Sequence, residues 1–330
     1  MARIFSVYVV IFAGIGALTL SYAAYATFRF LTLHLLKPSQ PLKSYKRAGP
    51  EPAYALITGS SAGIGLGVAQ ALVKEDFAVI LLGHLPDELS EAKTKLQKLR
   101  PGSVVRILAM DARTATPEEM NAAVQSIAHL PVSILVNNVG GNPVKLPAFR
   151  AMTTYSSEDV DAVINMNARF MARFTALMLP ILSRRSRPKE RSLILNSSSG
   201  GMVGVPWLVM YGATKAFNWA FSCGLARELG SNPKTNHIDC LAIIPGEVRS
   251  QGNCEGVSDS EPRWDHFGQY IVDKVDNALS RGQRELSPFM MHDIKDRILA
   301  VLPEGMKTAA LNDVLSKKRD AFNTAYEKSR

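Results

Sequence analysis

The stretch Tyr54-Ala55-Leu56-Ile57-Thr58-Gly59-Ser60-Ser61-Ala62-Gly63-Ile64-Gly65 decides the architecture. Its apolar start reads as a buried strand, and glycines 59, 63 and 65 follow at a strand-to-helix turn. Glycine is needed there because the backbone must turn tightly and let a pyrophosphate reach the helix N-terminus with no Cβ in the way. A lone glycine triplet is weak, since turns collect glycine for purely conformational reasons. The strand before it and the apolar helix after it supply the context of a dinucleotide cradle. Gly59, Ser61, Gly63, Ile64 and Gly65 are its candidate contacts.

From Ala53 onward, short apolar runs alternate with longer amphipathic ones, the βαβ pattern of a parallel sheet. Strands are predicted near 53–58, 78–82, 104–110, 133–137, 192–196 and 238–244, with a seventh near 285–288. Thr116-Pro117-Glu118-Glu119 starts a helix: threonine caps, proline fits the first turn, and Glu119 completes the box. Ser156-Ser157-Glu158-Asp159 opens a second helix running toward Leu182, with Val160, Val163, Ile164 and Phe170 as its stripe against the sheet. The segment 286–303 reads as a core-facing helix, with a substrate wall or a membrane-lying helix as alternatives.

Residues 4–28 contain no charged side chain, and about 20 apolar residues suffice to cross a bilayer. Ala24-Tyr25-Ala26 would suit a cleavable signal peptide, but the apolar run is longer than a usual signal core, which favours a retained anchor. Only Arg3 precedes it, whereas Arg29, Lys37, Lys43, Lys46 and Arg47 follow before the first acid, Glu51. That asymmetry places the rest of the chain on the cytosolic side. The division expected is an anchor at 1–36, a proline-rich basic linker at 37–52 and a catalytic domain at 53–330.

The 38 basic residues against 29 acids give a net charge of +9. The runs at 184–191 and in the C-terminal tail read first as a solvated loop and a solvated helix face, with anionic lipid or a phosphorylated carrier as the sharper alternative. No motif supports nucleic-acid binding. Cys223, Cys240 and Cys254 form no CxxC pair and no metal spacing, which agrees with a reducing compartment.

Tyr211 and Lys215 lie four apart, so on a helix they share a face and the ammonium can favour the ionised phenol. A phenol with an ordinary pKa of about 10 is otherwise a poor acid near neutral pH. Tyr211 follows Ser198 by thirteen residues. With the glycine turn and Asn137-Asn138-Val139-Gly140, these residues resemble the short-chain dehydrogenase/reductase superfamily from Ala53 to Pro288. The fold class expected is therefore α/β, a Rossmann-type doubly wound parallel sheet with helices on both faces, preceded by an N-terminal transmembrane helix.

The resemblance implies a tetrad of Asn167, Ser198, Tyr211 and Lys215, with Ser199 as runner-up for the serine. It implies that Asp111 meets the adenine, that Asn138 and the run Pro245, Gly246 and Val248 line the cofactor, and that Tyr211 and Lys215 touch it too. Turn capping for Asp111 and strand bridging for Asn138 are the plain structural readings. Where an NAD enzyme places an acid after its second strand, this chain has Gly83-His84, so NADP(H) is expected over NAD(H), with His84 as a candidate phosphate contact.

Within the superfamily, the anchor, Asn-Asn-Val-Gly and ILNSSSGGMVGVPWLVMYGATKAF resemble membrane-bound 3-oxoacyl-CoA reductases related to 17-beta-hydroxysteroid dehydrogenases. That implies NADPH-dependent reduction of a lipidic carbonyl, 3-oxoacyl-CoA first, in very-long-chain fatty acid elongation at the endoplasmic reticulum. Tyr211 would protonate the oxygen. A steroid or secondary-metabolite ketoreductase and a non-catalytic cofactor-binding scaffold are the other readings, and a homo-oligomer is compatible with all three. The stretch 251–268, where the superfamily places its substrate lid, carries no recognisable motif.

Overall fold

Seven strands, β1 (Tyr54–Thr58), β2 (Ala78–Gly83), β3 (Val105–Ala109), β4 (Val132–Asn137), β5 (Ser192–Ser197), β6 (Ile238–Ile243) and β7 (Glu285–Leu286), form one parallel sheet in the computed structural model. It describes residues 2–144, 147–198 and 204–328. Every residue of β1, β2 and β4 is buried, as expected when helices cover both faces of a sheet. The order is β3-β2-β1-β4-β5-β6-β7, so the winding reverses between β1 and β4. Open α/β sheets bind their ligands at such a reversal, outside the carboxyl ends of the two strands.

On one face lie α2 (Gly63–Lys74), α3 (Pro86–Leu99) and α8 (Trp264–Ser280), whose Leu72, Leu89 and Phe267 share a core with Ile57 and Leu81. On the other, Met120 of α4 (Pro117–Ser126), Phe174 of α6 (Phe170–Leu182) and Leu229 of α7 (Val209–Ser231) pack with Leu56 and Ile80. Helices α2 and α8 cross so closely that a Cβ on Gly67 would lie 2.2 Å from the Trp264 carbonyl oxygen. The end of the 249–263 loop is thereby fixed beside the glycine turn.

Both predicted capping boxes are formed, at Thr116 with Glu119 and at Ser156 with Asp159. The helix predicted to run from Ser156 to Leu182 is not continuous, however. Between α5 (Ser157–Ile164) and α6, residues Asn165–Arg169 form a π-helical turn. The wider turn shifts the helical phase. Val163 and Phe170 stay in the core, but Ile164, expected in the same stripe, is 37% exposed.

Helix α1 (Ala2–Leu35) is long and apolar enough to cross a membrane, with none of its best window buried. The segment after it is seated on the domain. Leu42 and Tyr45 join the core, the Leu42 amide donates to Asp276 at 2.7 Å, and the Tyr45 hydroxyl donates to Asp239 at 2.9 Å. The basic run at 184–191 is exposed from Arg184 to Lys189, as expected of a solvated loop, and its end is docked: Glu190 accepts the Ala48 amide at 2.9 Å and Arg191 pairs with Asp239 at 2.6 Å.

Two further helices end the chain, α9 (Met290–Val301) and α10 (Glu304–Lys328). The core-facing reading of α9 needs correction. Its buried residues are His292 and Asp293, while Ile298 and Val301 are exposed. In α10 the tail's solvated-face reading fails at Lys318, which is buried against Glu247.

Candidate active site

The end of β1 and the end of β4 are tied by Thr58, whose hydroxyl accepts the Asn138 amide at 3.0 Å and the Val139 amide at 3.1 Å. The Asn138 side chain donates to the Gly59 carbonyl at 3.0 Å, so its strand-bridging reading is realised. Gly59 and Gly63 adopt φ of +64° and +57°, where a side chain is disfavoured. Gly65 is required for a different reason: a Cβ there would lie 2.2 Å from the Gly59 oxygen.

Ala62, the cap of α2, offers no side-chain acceptor to the first-turn amides. Those donors and the positive end of the helix suit an anion. A cleft of about 300 Å³ opens there, lined by Ser61, Gly63, Leu66, Gln251 and Trp264, with Glu88, Glu91 and Lys95 along α3. Ile64, Asn138, Ser197 and Pro245 meet around a second, smaller void. The cradle thus fits a dinucleotide pyrophosphate in donors and in clearance.

Beyond β2, His84 is exposed. Asp111 follows β3 and is held by Arg113 through its guanidinium, at 2.6 Å, and its backbone amide, at 2.9 Å. The guanidinium hydrogen bonds keep the Asp111 carboxyl below the ordinary carboxylate range. Turn capping is therefore realised for Asp111, and Arg113 adds a cation that sequence reasoning did not weigh.

Helix α7 carries Tyr211, half-buried, and Lys215, which is 3% exposed. Lys215 Nζ lies 5.5 Å from the Tyr211 ring centroid and donates to the Ser197 carbonyl at 3.3 Å. Burial pushes the Lys215 pKa down to about 8. Asn167 sits within the π-helical turn, where its amide donates to the carbonyls of Gly141 at 2.8 Å and Val163 at 2.9 Å, while its oxygen accepts the Gly141 amide at 3.0 Å. The two side chains converge on Gly140: a Cβ there would lie 2.6 Å from Lys215 Nζ and 2.9 Å from Asn167 Oδ1.

Ser198 is fully buried, its hydroxyl donating to the Lys215 carbonyl at 2.7 Å. Ser199 lies outside the described residues. After β6, Val248 is buried, and the Gly246 amide donates to Nδ1 of His292 at 3.2 Å. That leaves Nε2 to donate to Glu261 at 2.8 Å, and Glu261 in turn takes Lys295 at 2.6 Å. His292, Glu261 and Lys318 were not found from sequence. A histidine directly after the apolar run Phe289-Met290-Met291 was the available signal.

Residues 53–260 match the family described as short chain dehydrogenase. The chain belongs to that family. A "Very-long-chain 3-oxoacyl-CoA reductase" of Pyricularia oryzae is 29% identical over 285 residues, 86% of this chain and 82% of the relative. A "17-beta-hydroxysteroid dehydrogenase type 3" of Danio rerio is 32% identical over 53% of this chain and 55% of its own. The short-chain dehydrogenase of Sphingobium yanoikuyae solved with NADPH superposes with a TM-score of 0.59 at 20% identity, over 76% of this chain and 96% of that one. The short-chain dehydrogenase is an NAD(P)H-dependent oxidoreductase acting on carbonyl or hydroxyl groups.

Proposed function

We propose that this short-chain dehydrogenase reduces a lipidic carbonyl with NADPH, converting a 3-oxoacyl-CoA to the 3-hydroxyacyl-CoA during fatty acid elongation. The observation that carries the chemistry is the Tyr211–Lys215 pair on α7, with a buried ammonium 5.5 Å from the phenol ring, opposite Asn167 at Gly140. Bound NADPH supplies the hydride. Tyr211 gives its proton to the developing oxyanion, and Ser198 adds a hydrogen bond once its hydroxyl leaves the Lys215 carbonyl. With its pKa near 8, Lys215 stays mostly an ammonium at pH 7, so it supports the phenolate left after transfer and can hold the nicotinamide ribose. Asn167 positions the proton path.

Gly59, Ser61, Gly63, Ile64 and Gly65 hold the pyrophosphate in this reading, with Asp111 and Asn138 toward the adenine side and Pro245, Gly246 and Val248 toward the nicotinamide. No acid stands directly after β2, where His84 and Leu85 follow, and His84 favours a 2′-phosphate there. Helix α1 anchors the domain in the endoplasmic reticulum membrane with residues 37–330 in the cytosol, as its flanking charge suggests. The acyl-CoA choice leans on the Pyricularia oryzae relative, whose similarity spans most of both chains. Steroid reduction is the second reading, favoured by the Danio rerio relative over a shorter match.

Purified protein in detergent, assayed with NADPH against NADH over a panel of 3-oxoacyl-CoAs and ketosteroids, tests the proposal. Turnover confined to ketosteroids overturns the acyl-CoA assignment, and no turnover on either class overturns both.

A further inference from the structure

We propose that the elbow joining α9 to α10, residues 298–306, enters the bilayer interface beside α1 and forms a second membrane contact. The inference rests on the reading of α1 as a membrane-spanning helix.

Two contacts set the direction of α9. Nε2 of His34 pairs with Asp293 at 2.8 Å, and the Arg297 guanidinium lies over the Phe30 ring, 5.4 Å from its centroid. Four residues forward along α9 correspond to four residues back along α1, so the helices are antiparallel and α9 descends toward the apolar span. The end of α8 stops higher. Arg29 donates to the Arg281 carbonyl at 2.7 Å and Arg281 donates to Thr32 at 2.9 Å, which places the end of α8 level with residues 29–32.

Carried on in the same register, Val301 lies level with Ala26, about 6 Å beyond Arg297 at 1.5 Å per residue. That level is inside the uncharged span 4–28, past Arg29. The elbow's composition fits the position. Ile298-Leu299-Ala300-Val301-Leu302-Pro303-Glu304-Gly305-Met306 carries one charge, Glu304, which pairs with Lys307 at 3.5 Å, as suits an apolar tip. Val301 is 81% exposed, more than any other large apolar residue described, those of α1 included, and Ile298 and Met306 on either side of it are 54% and 59% exposed.

Helix α10 then climbs back to the cofactor side, where Lys318 grips Glu247 and Phe322 packs on Phe149 with ring centroids 5.0 Å apart. The hairpin α9–α10 therefore joins the lipid surface to the loops that carry Glu247 and Phe149. A bilayer is the occupant that the antiparallel pairing with α1 selects, because a protein partner would have to share that depth with lipid.

The test uses the full chain in phospholipid nanodiscs with Cys254→Ser, which removes the exposed thiol while Cys223 and Cys240 stay buried. Single cysteines replace Val301, Leu18 in α1, or Leu85, which is 41% exposed beyond β2 at the carboxyl edge of the sheet. Each carries a nitrobenzoxadiazole dye, and quenching by acyl-chain spin-labelled lipid is read. Position 301 should show at least about half the quenching at position 18, and position 85 almost none. Quenching at 18 with position 301 behaving like 85 overturns the elbow and leaves the membrane helix standing. A blue-shifted but unquenched dye at 301 also overturns it, since protein and not lipid would then cover the tip. No quenching at 18 removes the reading of α1 and the proposal with it.

Discussion

Lys215 approaches Tyr211 from inside the protein: its Nζ lies 5.5 Å from the ring centroid, while the residue is 3% exposed and donates to the Ser197 carbonyl. A cation in that position is costly to the fold and useful to the phenol. The two consequences can be measured separately.

Lys215→Met should raise thermal stability while lowering both turnover and NADPH affinity. Burial places the folded-state pKa at about 8, below the ordinary value near 10.4. Between those values the unfolded chain binds more protons, so stability rises with pH across that window, and below about 8 the full cost of burial is present. The variant should therefore melt roughly 2–4 °C higher at pH 7, and the gap should close as the pH is raised through that window. A lower melting temperature at pH 7 would contradict the account of a strained ammonium.

Cofactor choice is addressed by Gly83→Asp. The new carboxylate would accept from a ribose hydroxyl and repel a 2′-phosphate, moving kcat/KM toward NADH by roughly tenfold, about 1.4 kcal/mol. A Cβ at Gly83 meets Leu89 Cδ2 at 3.3 Å, so a small side-chain adjustment is needed and the melting temperature should be followed alongside. An unmodified enzyme that already uses NADH better would overturn the argument.

His292→Leu removes the acceptor of the Gly246 amide, and NADPH affinity should weaken roughly fivefold, the worth of about one net hydrogen bond. Fluorescence titration reads it directly. Burial, opposed by Glu261 and aided by Lys295, holds the imidazole below its ordinary pKa. As pH falls past the unfolded value of about 6.5, the unfolded histidine takes its proton first and the native state loses stability. Denaturant titration at pH 7.5 and 5.5 should show a smaller loss in His292→Leu than in the parent. Equal losses would mean that the histidine stays outside the acid transition.

Much of this fold was readable because its signals are local. Each of the seven predicted stretches holds a strand, since continuous apolar runs bounded by turns report burial on both faces. Thr116 and Ser156 were readable as caps because a box is a three-residue spacing. The π-helical turn at Asn165–Arg169 changes hydrogen-bond partners without changing apolar spacing, and the weak helix formers Asn165 and Asn167 were its only trace.

Long-range placement was harder to read. Proline and basic residues at 37–52 suggested a short linker but gave no sign that Leu42 and Tyr45, three apart, enter the core formed by α2, α3 and α8. Lys318 belongs to a charge-rich tail and is buried only because Glu247, 71 residues away, meets it. The candidate site shows the same division. The glycines, Asn138, Asn167, Tyr211 and Lys215 are gathered at one crevice, while His292 depended on where α9 packs.

The most direct measurement on the central claim is single-turnover hydride transfer by Tyr211→Phe, paired with NADPH fluorescence titration of the same preparation. The substitution removes one hydroxyl and leaves the ring that Lys215 faces. General acid catalysis contributes typically about 10²- to 10⁴-fold, so the rate should fall by at least about a hundredfold while NADPH affinity changes little. A Tyr211→Phe enzyme that keeps most of its rate would contradict the assignment of Tyr211 as proton donor.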